Sequence, residues 1–239
     1  MMNPRRVLVV GAHSGDFVWR AAGTIAVITS QGGQASVIAL SYGERGESGE
    51  LWKEPDQTVE NVKRIRHEEA KAAAEAVEAE FRCLDLGDYP LNVPDRAIEQ
   101  LVEVFQDFKP NIVLTHNPVD PFNPDHPAAS QAVQNARLLS SGAGVASAFS
   151  RIPPPDLYFF EPHQPELCDF KPNTFIDITT VMEKKTKAME AMKAQRYLHK
   201  YYTELASRRA NHARRISGME GIKFAEAHYR TLPWVVTSL

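Results

Sequence analysis

Short apolar segments alternate with amphipathic segments through the first half of the chain, and this alternation constrains the fold more than any other feature. The apolar run "RVLVVGA" is followed by helical spacing in "FVWRAAGTIAVITSQGG", and the same order recurs behind "QASVIALSYG", "FRCLDLGD" and "NIVLTHN". Continuous apolar runs are typical of strands covered on both faces, and strands alternating with helices form parallel sheets with right-handed crossovers. The sequence therefore predicts an α/β fold, a Rossmann-like three-layer sandwich with a mostly parallel sheet.

The second half of the chain departs from this alternation. Prolines crowd the segment "RIPPPDLYFFEPHQPELCDFKPN", which predicts a loop carrying one short strand, "DLYFF". The segment "VMEKKTKAMEAMKAQRYLHKYYTELASRRANHARR" is strongly helical, and with "MEGIKFAEAHYR" after it we expect a helix and a strand that close the domain or pack on another subunit. No repeat, charge block or low-complexity linker marks a boundary, so residues 1–239 are expected to form a single domain.

Composition excludes several classes of function. A formal net charge of -3 gives no basic surface of the kind that binds nucleic acid. No uninterrupted apolar stretch approaches the roughly 20 residues that span a bilayer, so we expect no membrane partner. The only cysteines, Cys83 and Cys168, cannot form a disulfide framework, and this usage fits a reducing cytoplasm.

Polar and charged residues follow each of the first four predicted strands. His13 and Asp16 come after the first strand, and the segments "GERGESGE", "GDYP" and "HNPVDPFNPDHP" follow the second, third and fourth strands. In an open α/β sheet, ligands bind outside the carboxyl ends of the strands, where these loops converge. We therefore expect the four segments to share one rim of the sheet.

Histidine and carboxylate side chains on this rim predict a metal site. Imidazole and carboxylate suit Zn²⁺, and a catalytic zinc takes three protein ligands and leaves one position open. The predicted ligands are His13, Asp16 and His126, with Asp125 as an orienting partner and His116 as the alternative third ligand. Either segment alone could be a hydrogen-bonded histidine or a turn and helix cap, whereas their combination on one rim favours a metal.

The segments "VGAHSGD", "GERGE", "PDH" and "DITTVMEKKTKAMEAMKAQ" resemble the LmbE-like, or PIG-L, family. Most members are zinc-dependent deacetylases of N-acetyl sugars on a Rossmann-like fold, and the resemblance covers nearly the whole chain. It implies metal ligands at His13, Asp16 and His126, the same residues that the rim argument selects.

Two positions depart from the deacetylase pattern. The family motif Ala-His-Pro-Asp-Asp carries its general base at its first aspartate, and Gly15 stands at that position. The family loop His-Pro-Asp-His reads "NPDH" here, so Asn123 replaces a histidine that stabilises the oxyanion. Retained ligands with both catalytic positions changed indicate a different reaction, and we expect Gly15 to leave room for an anionic substrate.

Longer segments resemble one branch of the family. "AHSGDFVWRAAGTIA", "SYGERGESGELW", "LGDYPL", "DPFNPDHP" and "YFFEPHQPE" are similar to the bacterial 4-oxalomesaconate hydratases of gallate and protocatechuate degradation. This resemblance implies a metal-dependent hydro-lyase that adds water to the conjugated double bond of a small tricarboxylate. The alternatives are a zinc-dependent deacetylase of a sugar-like substrate and a non-catalytic protein that binds a polyanion. Homo-oligomers are common among the relatives, and we expect one by analogy.

A hydratase of this kind needs a group that takes a proton from water. Glu47 in "GERGES" is the predicted base, because a carboxylate in this loop can replace the acid that is missing at position 15. Glu44 is its competitor, and the alternative for both is a solvated charge or a pair with Arg45.

A small anionic substrate also needs cations and hydrogen-bond donors. Arg20 and Arg45 lie near the rim in sequence and are predicted to bind substrate carboxylates, with a surface charge as the alternative for Arg20. His163 in "EPHQP" is a further predicted donor, and Asn123 is expected to contact the substrate at the position of the lost histidine.

Overall fold

One mixed β-sheet forms the centre of the protein. The computed structural model describes residues 5–145, 147–233 and 235. Within these residues the strands are β1 (Arg6–Gly11), β2 (Gln34–Ala39), β3 (Glu80–Cys83), β4 (Ile112–His116), β5 (Asp156–Phe160), β6 (Thr174–Asp177) and β7 (Ala225–Arg230). Their spatial order is β3-β2-β1-β4-β5-β7-β6, in which the first five strands run parallel and β7 pairs antiparallel with both of its neighbours.

Helices cover both faces of this sheet. They are α1 (Asp16–Ser30), α2 (Val59–Ala76), α3 (Asp95–Phe108), α4 (Asp125–Leu139), α5 (Met182–Ala191) and α6 (Leu198–Ser217). Alternate side chains of β1 point to opposite faces, so Val7 and Val9 pack with α1, α2 and α5, while Leu8 and Val10 pack with α3 and α4. The predicted α/β three-layer sandwich with a mostly parallel sheet is confirmed.

The segment after residue 180 is helical, as the sequence predicts, and the structure divides it into two helices, α5 and α6. The chain leaves helical geometry at Met192 (φ -85, ψ 67), and a 3₁₀ turn spans Lys193–Gln195 before α6 begins. The backbone N–H of Ala194 donates to the Glu69 carboxylate (2.9 Å), and Gln195 accepts from Arg66 (2.9 Å). These contacts with α2 override a local helical propensity that continues through the break.

The segment "DLYFF" is more than a short strand within a loop. It forms β5, which lies between β4 and β7, and its aromatic side chains are buried. The predicted closing strand is β7. In the described residues, none of the helices is both long and apolar enough to cross a membrane.

The parallel register brings the carboxyl ends of the central strands to one rim. Gly11 at the end of β1 pairs with Ala39 at the end of β2, and His116 ends β4 on the other side. The loops that leave these three strands therefore start side by side, as the sequence predicted.

Candidate metal centre and active site

Three potential metal ligands meet on this rim. His13 lies in the turn between β1 and α1, Asp16 is the first residue of α1, and His126 is the second residue of α4. All three are buried, and each offers a ligand atom within 4.8 Å of the others. His13 Nδ1 is 3.5 Å from one Asp16 oxygen, and His126 Nε2 is 3.7 Å from the other.

The two imidazoles each leave one buried nitrogen for a metal. His13 Nδ1 and His126 Nε2 have no hydrogen-bond partner among the described residues. A buried nitrogen without a partner destabilises the fold unless a ligand such as a metal ion satisfies it. Two imidazoles and one carboxylate make a donor set that fits zinc or another divalent metal.

A second carboxylate orients each histidine. Asp125 Oδ2 lies 3.1 Å from His13 Nε2, and Asp120 Oδ2 lies 2.8 Å from His126 Nδ1. Such contacts select the tautomer that presents the other ring nitrogen to a metal. Asp125 was the expected orienting residue, whereas sequence reasoning missed Asp120, whose signal was its position six residues before His126 in the same loop.

The electrostatic environment holds His126 and Asp16 in the protonation states that bind a metal. Burial lowers the pKa of His126 to about 3, together with the charge of His116, so this ring is neutral. Burial would raise the pKa of Asp16, but contacts with His116 and His13 hold it well below its usual range. Burial would lower the pKa of His13, but bonds to Asp125 and Asp16 and nearby charges raise it to about 10. A metal would therefore displace a proton from His13.

His116, the alternative third ligand, occupies a different position. Its Nε2 lies 2.9 Å from Asp16 Oδ2 and also within 3.0 Å of the Ala12 backbone nitrogen. Its ring stacks on His126 with centroids 4.0 Å apart. These contacts make His116 a partner of the ligands, and His126 completes the group.

Glu47 is the carboxylate closest to this group in the "GERGES" loop. Its Oε1 is 3.9 Å from His13 Nδ1, and 22% of its side chain is exposed, so solvent and substrate can reach it. Asn123 Nδ2 donates to Oε1 (3.0 Å), and Gln195 Nε2 donates to Oε2 (2.9 Å). Asn123 therefore holds the predicted base, a role that the sequence did not suggest for it.

Glu44, the competing base, is buried in the same loop and lies near Lys63. Its side chain is fully buried, with neither oxygen hydrogen-bonded among the described residues and Lys63 Nζ 3.8 Å away. Burial raises its pKa, which favours the neutral acid over a base. The geometry therefore favours Glu47.

Gly15 does not leave open space, which corrects the expectation of room for a substrate. A Cβ placed on Gly15 would lie 2.5 Å from Gln195 Oε1 and 2.9 Å from an Arg66 nitrogen. The volume beside the metal group is thus filled by side chains from α2 and from the α5–α6 break.

Arg20 and Arg45 have different environments. Arg20 is buried on α1 with its Nε 3.7 Å from Asp16 Oδ1, so the surface-charge alternative is wrong. Its Nε has no hydrogen-bond partner in the described part of the chain. The exposed Arg45 instead donates to the Asp88 carbonyl (2.8 Å), a contact that favours a role in holding the loop over substrate binding.

His163 lies at the edge of the Arg20 environment. Its Nδ1 is 3.1 Å from the Tyr202 hydroxyl, and its ring stacks on Tyr201 with centroids 4.6 Å apart. Burial, with the charge of Arg20, lowers its pKa to about 4, so this ring is a neutral hydrogen-bonding group. Tyr202 was missed by sequence reasoning because nothing local distinguishes it from a core aromatic residue.

Comparison with known proteins identifies the relatives of this arrangement. The family model described as "PIG-L: GlcNAc-PI de-N-acetylase" matches residues 8–137. A protein of Pseudomonas putida KT2440 named "4-oxalmesaconate hydratase" is 42% identical over 243 residues, which cover 100% of this chain and 94% of that protein. Diacetylchitobiose deacetylase of Thermococcus kodakarensis is 28% identical over 200 residues, which cover 80% of this chain and 70% of that protein.

A solved structure of a hydratase is similar to this protein over nearly the whole chain. The crystal structure of GalB, the 4-carboxy-2-hydroxymuconate hydratase from Pseudomonas putida KT2440, matches with a TM-score of 0.95 and 42% identity. The match covers 98% of this chain and 99% of that chain. The named hydratases are thus more similar to this chain than the named deacetylase is.

Proposed function

The chain belongs to the PIG-L family, and from this premise we propose that it is a metal-dependent hydratase of a small polycarboxylate such as 4-oxalomesaconate. The observation that carries the proposal is the exchange of carboxylates beside the metal group. Position 15 has no side chain, and Glu47 stands 3.9 Å from His13 Nδ1 in its place. The 42% identity to a named hydratase over the whole chain supports the same reaction.

Different side chains of the site bind the metal, accept the proton and bind the substrate. A divalent metal held by His13, Asp16 and His126 would supply a Lewis acid for a substrate oxygen. The Glu47 carboxylate takes a proton from the attacking water as the water oxygen bonds to one alkene carbon and the alkene π electrons move toward the conjugated carbonyl. The other alkene carbon then takes a proton from solvent, and Glu47 returns its proton to solvent, so that the net reaction is the addition of one water. Arg20 provides a buried guanidinium for a substrate carboxylate.

The proposal extends to the identity of the metal, the pathway, the compartment and the assembly. Zinc is the proposed metal because two imidazoles and a carboxylate suit it. A role in gallate or protocatechuate degradation follows from the substrate class. The free cysteines fit a cytoplasmic protein, and a homo-oligomer remains a prediction by analogy with relatives.

Deacetylation of a sugar-like substrate is the second candidate, favoured by the 28% identity to a named deacetylase. Its usual base and oxyanion-stabilising histidine are replaced by Gly15 and Asn123, and Asn123 is engaged with Glu47 at 3.0 Å. A deacetylase would need Glu47 to act as the base without that histidine.

A parallel assay separates the two candidates. Zinc-loaded protein is given 4-oxalomesaconate and an N-acetylglucosamine derivative, and the loss of conjugated absorbance and the release of free amine are followed. We expect hydration without amine release. Amine release at an ordinary enzymatic rate, with the tricarboxylate unchanged, would overturn the hydratase proposal.

A further inference from the structure

The break between α5 and α6 delivers one polar side chain to the active site. Gln195 ends the 3₁₀ turn and is buried, with 2% of its surface exposed. Its Nε2 donates to Glu47 Oε2 over 2.9 Å. Asn123 donates to the other oxygen, so each oxygen of the carboxylate receives one amide N–H. We name this pair, Asn123 and Gln195, the amide clamp.

The orientation of the Gln195 amide is determined by its surroundings. Its Oε1 accepts hydrogen bonds from Arg66 (2.9 Å) and from the indole N–H of Trp19 (3.3 Å). Both groups are donors only, so the amide oxygen must face them and the amide nitrogen must face Glu47. The reversed amide would set donor against donor.

Arg66 is in turn fixed by its own contacts. It is fully buried, and it donates to Glu69 Oε2 (3.0 Å) and to the Tyr42 carbonyl (3.3 Å). The other Glu69 oxygen accepts the Ala194 backbone N–H (2.9 Å), the residue next to Gln195. Helix α2 therefore fixes both the backbone and the side chain of the 3₁₀ turn.

Gly15 is the residue that admits this arrangement. Its backbone has helical angles (φ -92, ψ -14), so a side chain there meets no conformational strain. A Cβ would however approach Gln195 Oε1 to 2.5 Å, much closer than atoms in contact allow. A side chain at position 15 and Gln195 in its present place exclude each other.

From these contacts we infer that Gln195 is a positioning residue for Glu47, and that Gly15 is required because it leaves the volume that Gln195 fills. The inference rests on the proposed function, since it assigns Glu47 as the base. The two neutral amides hold the carboxylate toward the metal group without neutralising its charge. A base at position 15 would take the volume that Gln195 fills, so it excludes the arrangement in which Gln195 holds a base at position 47.

The first test replaces Gln195 by Met, which keeps its approximate shape and removes both hydrogen-bonding groups. We expect kcat for hydration to fall about tenfold to a hundredfold, because a misplaced base loses its alignment. KM and bound metal should stay within about twofold, since Gln195 is buried and its side chain hydrogen-bonds to Trp19, Arg66 and Glu47 rather than to a metal ligand. The exposed Gln131→Met on α4 is the matched control and should retain wild-type kinetics. An unchanged kcat in Gln195→Met would overturn the inference.

Two double-mutant cycles distinguish positioning from general damage. If Gln195 acts through Glu47, Gln195→Met should cost little further activity in a Glu47→Gln protein. Gly15→Ala should lower kcat in the wild-type protein, and less in Gln195→Ala, where the closest clashing atom, Gln195 Oε1, is gone and Arg66 Nη2 remains at 2.9 Å. Gly221→Ala is the control, because a Cβ there meets nothing within 4 Å. Additive losses in both cycles would show that Gln195 does not act through Glu47.

A structural readout separates failure of the inference from failure of the proposed function. If wild-type protein does not hydrate 4-oxalomesaconate, the proposed function fails, and crystal structures of metal-loaded wild type and Gln195→Met then test the clamp alone. We expect the Glu47 carboxylate to leave its wild-type position in the variant. A Glu47 carboxylate unmoved in the variant would refute the positioning role whether or not the protein is a hydratase.

Discussion

Each histidine of the candidate metal group has a neighbouring carboxylate that orients its ring. The Asp120 contact to His126 (2.8 Å) and the Asp125 contact to His13 (3.1 Å) use the ring nitrogens that face away from the ligand group. Asp125 is itself held by the backbone N–H groups of Tyr89 and Leu91. The metal site therefore extends beyond its three ligands into the loop after β3.

Removing a metal ligand should reduce metal binding more than removing the carboxylate that orients it. His126→Ala should lose most bound metal, whereas Asp120→Asn should weaken metal affinity by about tenfold to a hundredfold, the usual effect of losing an orienting carboxylate. Metal content after dialysis and titration with a competing chelator measure both. The exposed variants His212→Ala and Asp107→Asn serve as controls. Full metal occupancy in His126→Ala would contradict the assigned site.

Arg20 is the strongest candidate for binding a substrate carboxylate. Loss of a charge-assisted hydrogen bond costs about 1.5–3 kcal/mol, so Arg20→Met should raise KM by roughly tenfold to a hundredfold, with a smaller change in kcat. Arg45→Met should change KM much less, because its guanidinium already binds the Asp88 carbonyl. Steady-state kinetics at fixed metal content measure both. An equal effect of the two variants would return Arg20 to a structural role.

At the scale of elements, a buried ion pair ties α1 to α5 and β7. Glu226 on β7 accepts the backbone N–H groups of Gly23 and Thr24 (2.9 and 2.7 Å), and its partner is Lys185 Nζ (2.6 Å). Lys185 also donates to the Trp19 carbonyl (3.0 Å). Helix α1 carries Asp16 and Arg20 at its start, so this contact holds the helix that carries a proposed metal ligand and the proposed substrate-binding cation.

Breaking this ion pair should be costly. Lys185→Met leaves the Glu226 charge buried and unpaired, and loss of one partner of such a pair costs about 3–5 kcal/mol in the free energy of unfolding. The control is Lys187→Met on the same helix, whose pair with Glu183 is exposed and should contribute little to the free energy of unfolding. Denaturant unfolding measures both variants. Equal stability of the two would show that the buried pair contributes nothing.

Local patterns predicted the elements up to β5, because each strand and helix there has its own hydrophobic periodicity. The break between α5 and α6 escaped prediction, since residues 192–197 have ordinary helical propensity and are diverted by Arg66 and Glu69 of α2. That diversion is a contact between residues about 130 positions apart, which no local window contains.

At the scale of the whole molecule, burial of His228 makes stability depend on pH. Burial lowers its pKa to about 4, against about 6.5 for an unfolded histidine. Above pH 6.5 both states are neutral there, and between 6.5 and 4 only the unfolded state gains a proton. This group therefore costs stability as the pH falls through that range, by up to about 3 kcal/mol in total.

The variant His228→Gln should remove part of this pH dependence. Its free energy of unfolding should fall less than that of the wild type between pH 7 and pH 4.5, measured by denaturant titration at each pH. His67→Gln is the control, because this exposed ring meets solvent in both states. Parallel stability curves for wild type and His228→Gln would contradict the assignment.

The sequence predicted the part of the candidate site that lies in loops at the carboxyl ends of the parallel strands. Parallel strands bring the loops after β1, β2 and β4 together, so His13, Asp16, His126 and Glu47 could be grouped from their order in the chain. Only one member of the amide clamp could be predicted from the sequence. Asn123 lies in a loop on that rim, whereas Gln195 is distant in the chain and reaches the site from the break between α5 and α6. The sequence showed that Gly15 departs from the family motif. Only the tertiary structure shows that Gln195 and Arg66 fill the volume beside it.

In the proposed hydratase, Glu47 supplies the base that position 15 lacks. The most direct measurement compares kcat for hydration of 4-oxalomesaconate by wild type, Glu47→Gln and the exposed control Glu50→Gln at equal, verified metal content. Glu47→Gln keeps the approximate shape of the side chain and one of its two contacts with the amide clamp, because its NH₂ end faces an amide N–H donor, and it cannot accept the proton. Its kcat should therefore fall by about 10²–10⁴, while Glu50→Gln matches the wild type. A fully metal-loaded Glu47→Gln protein that hydrates the substrate at the wild-type rate would contradict the account.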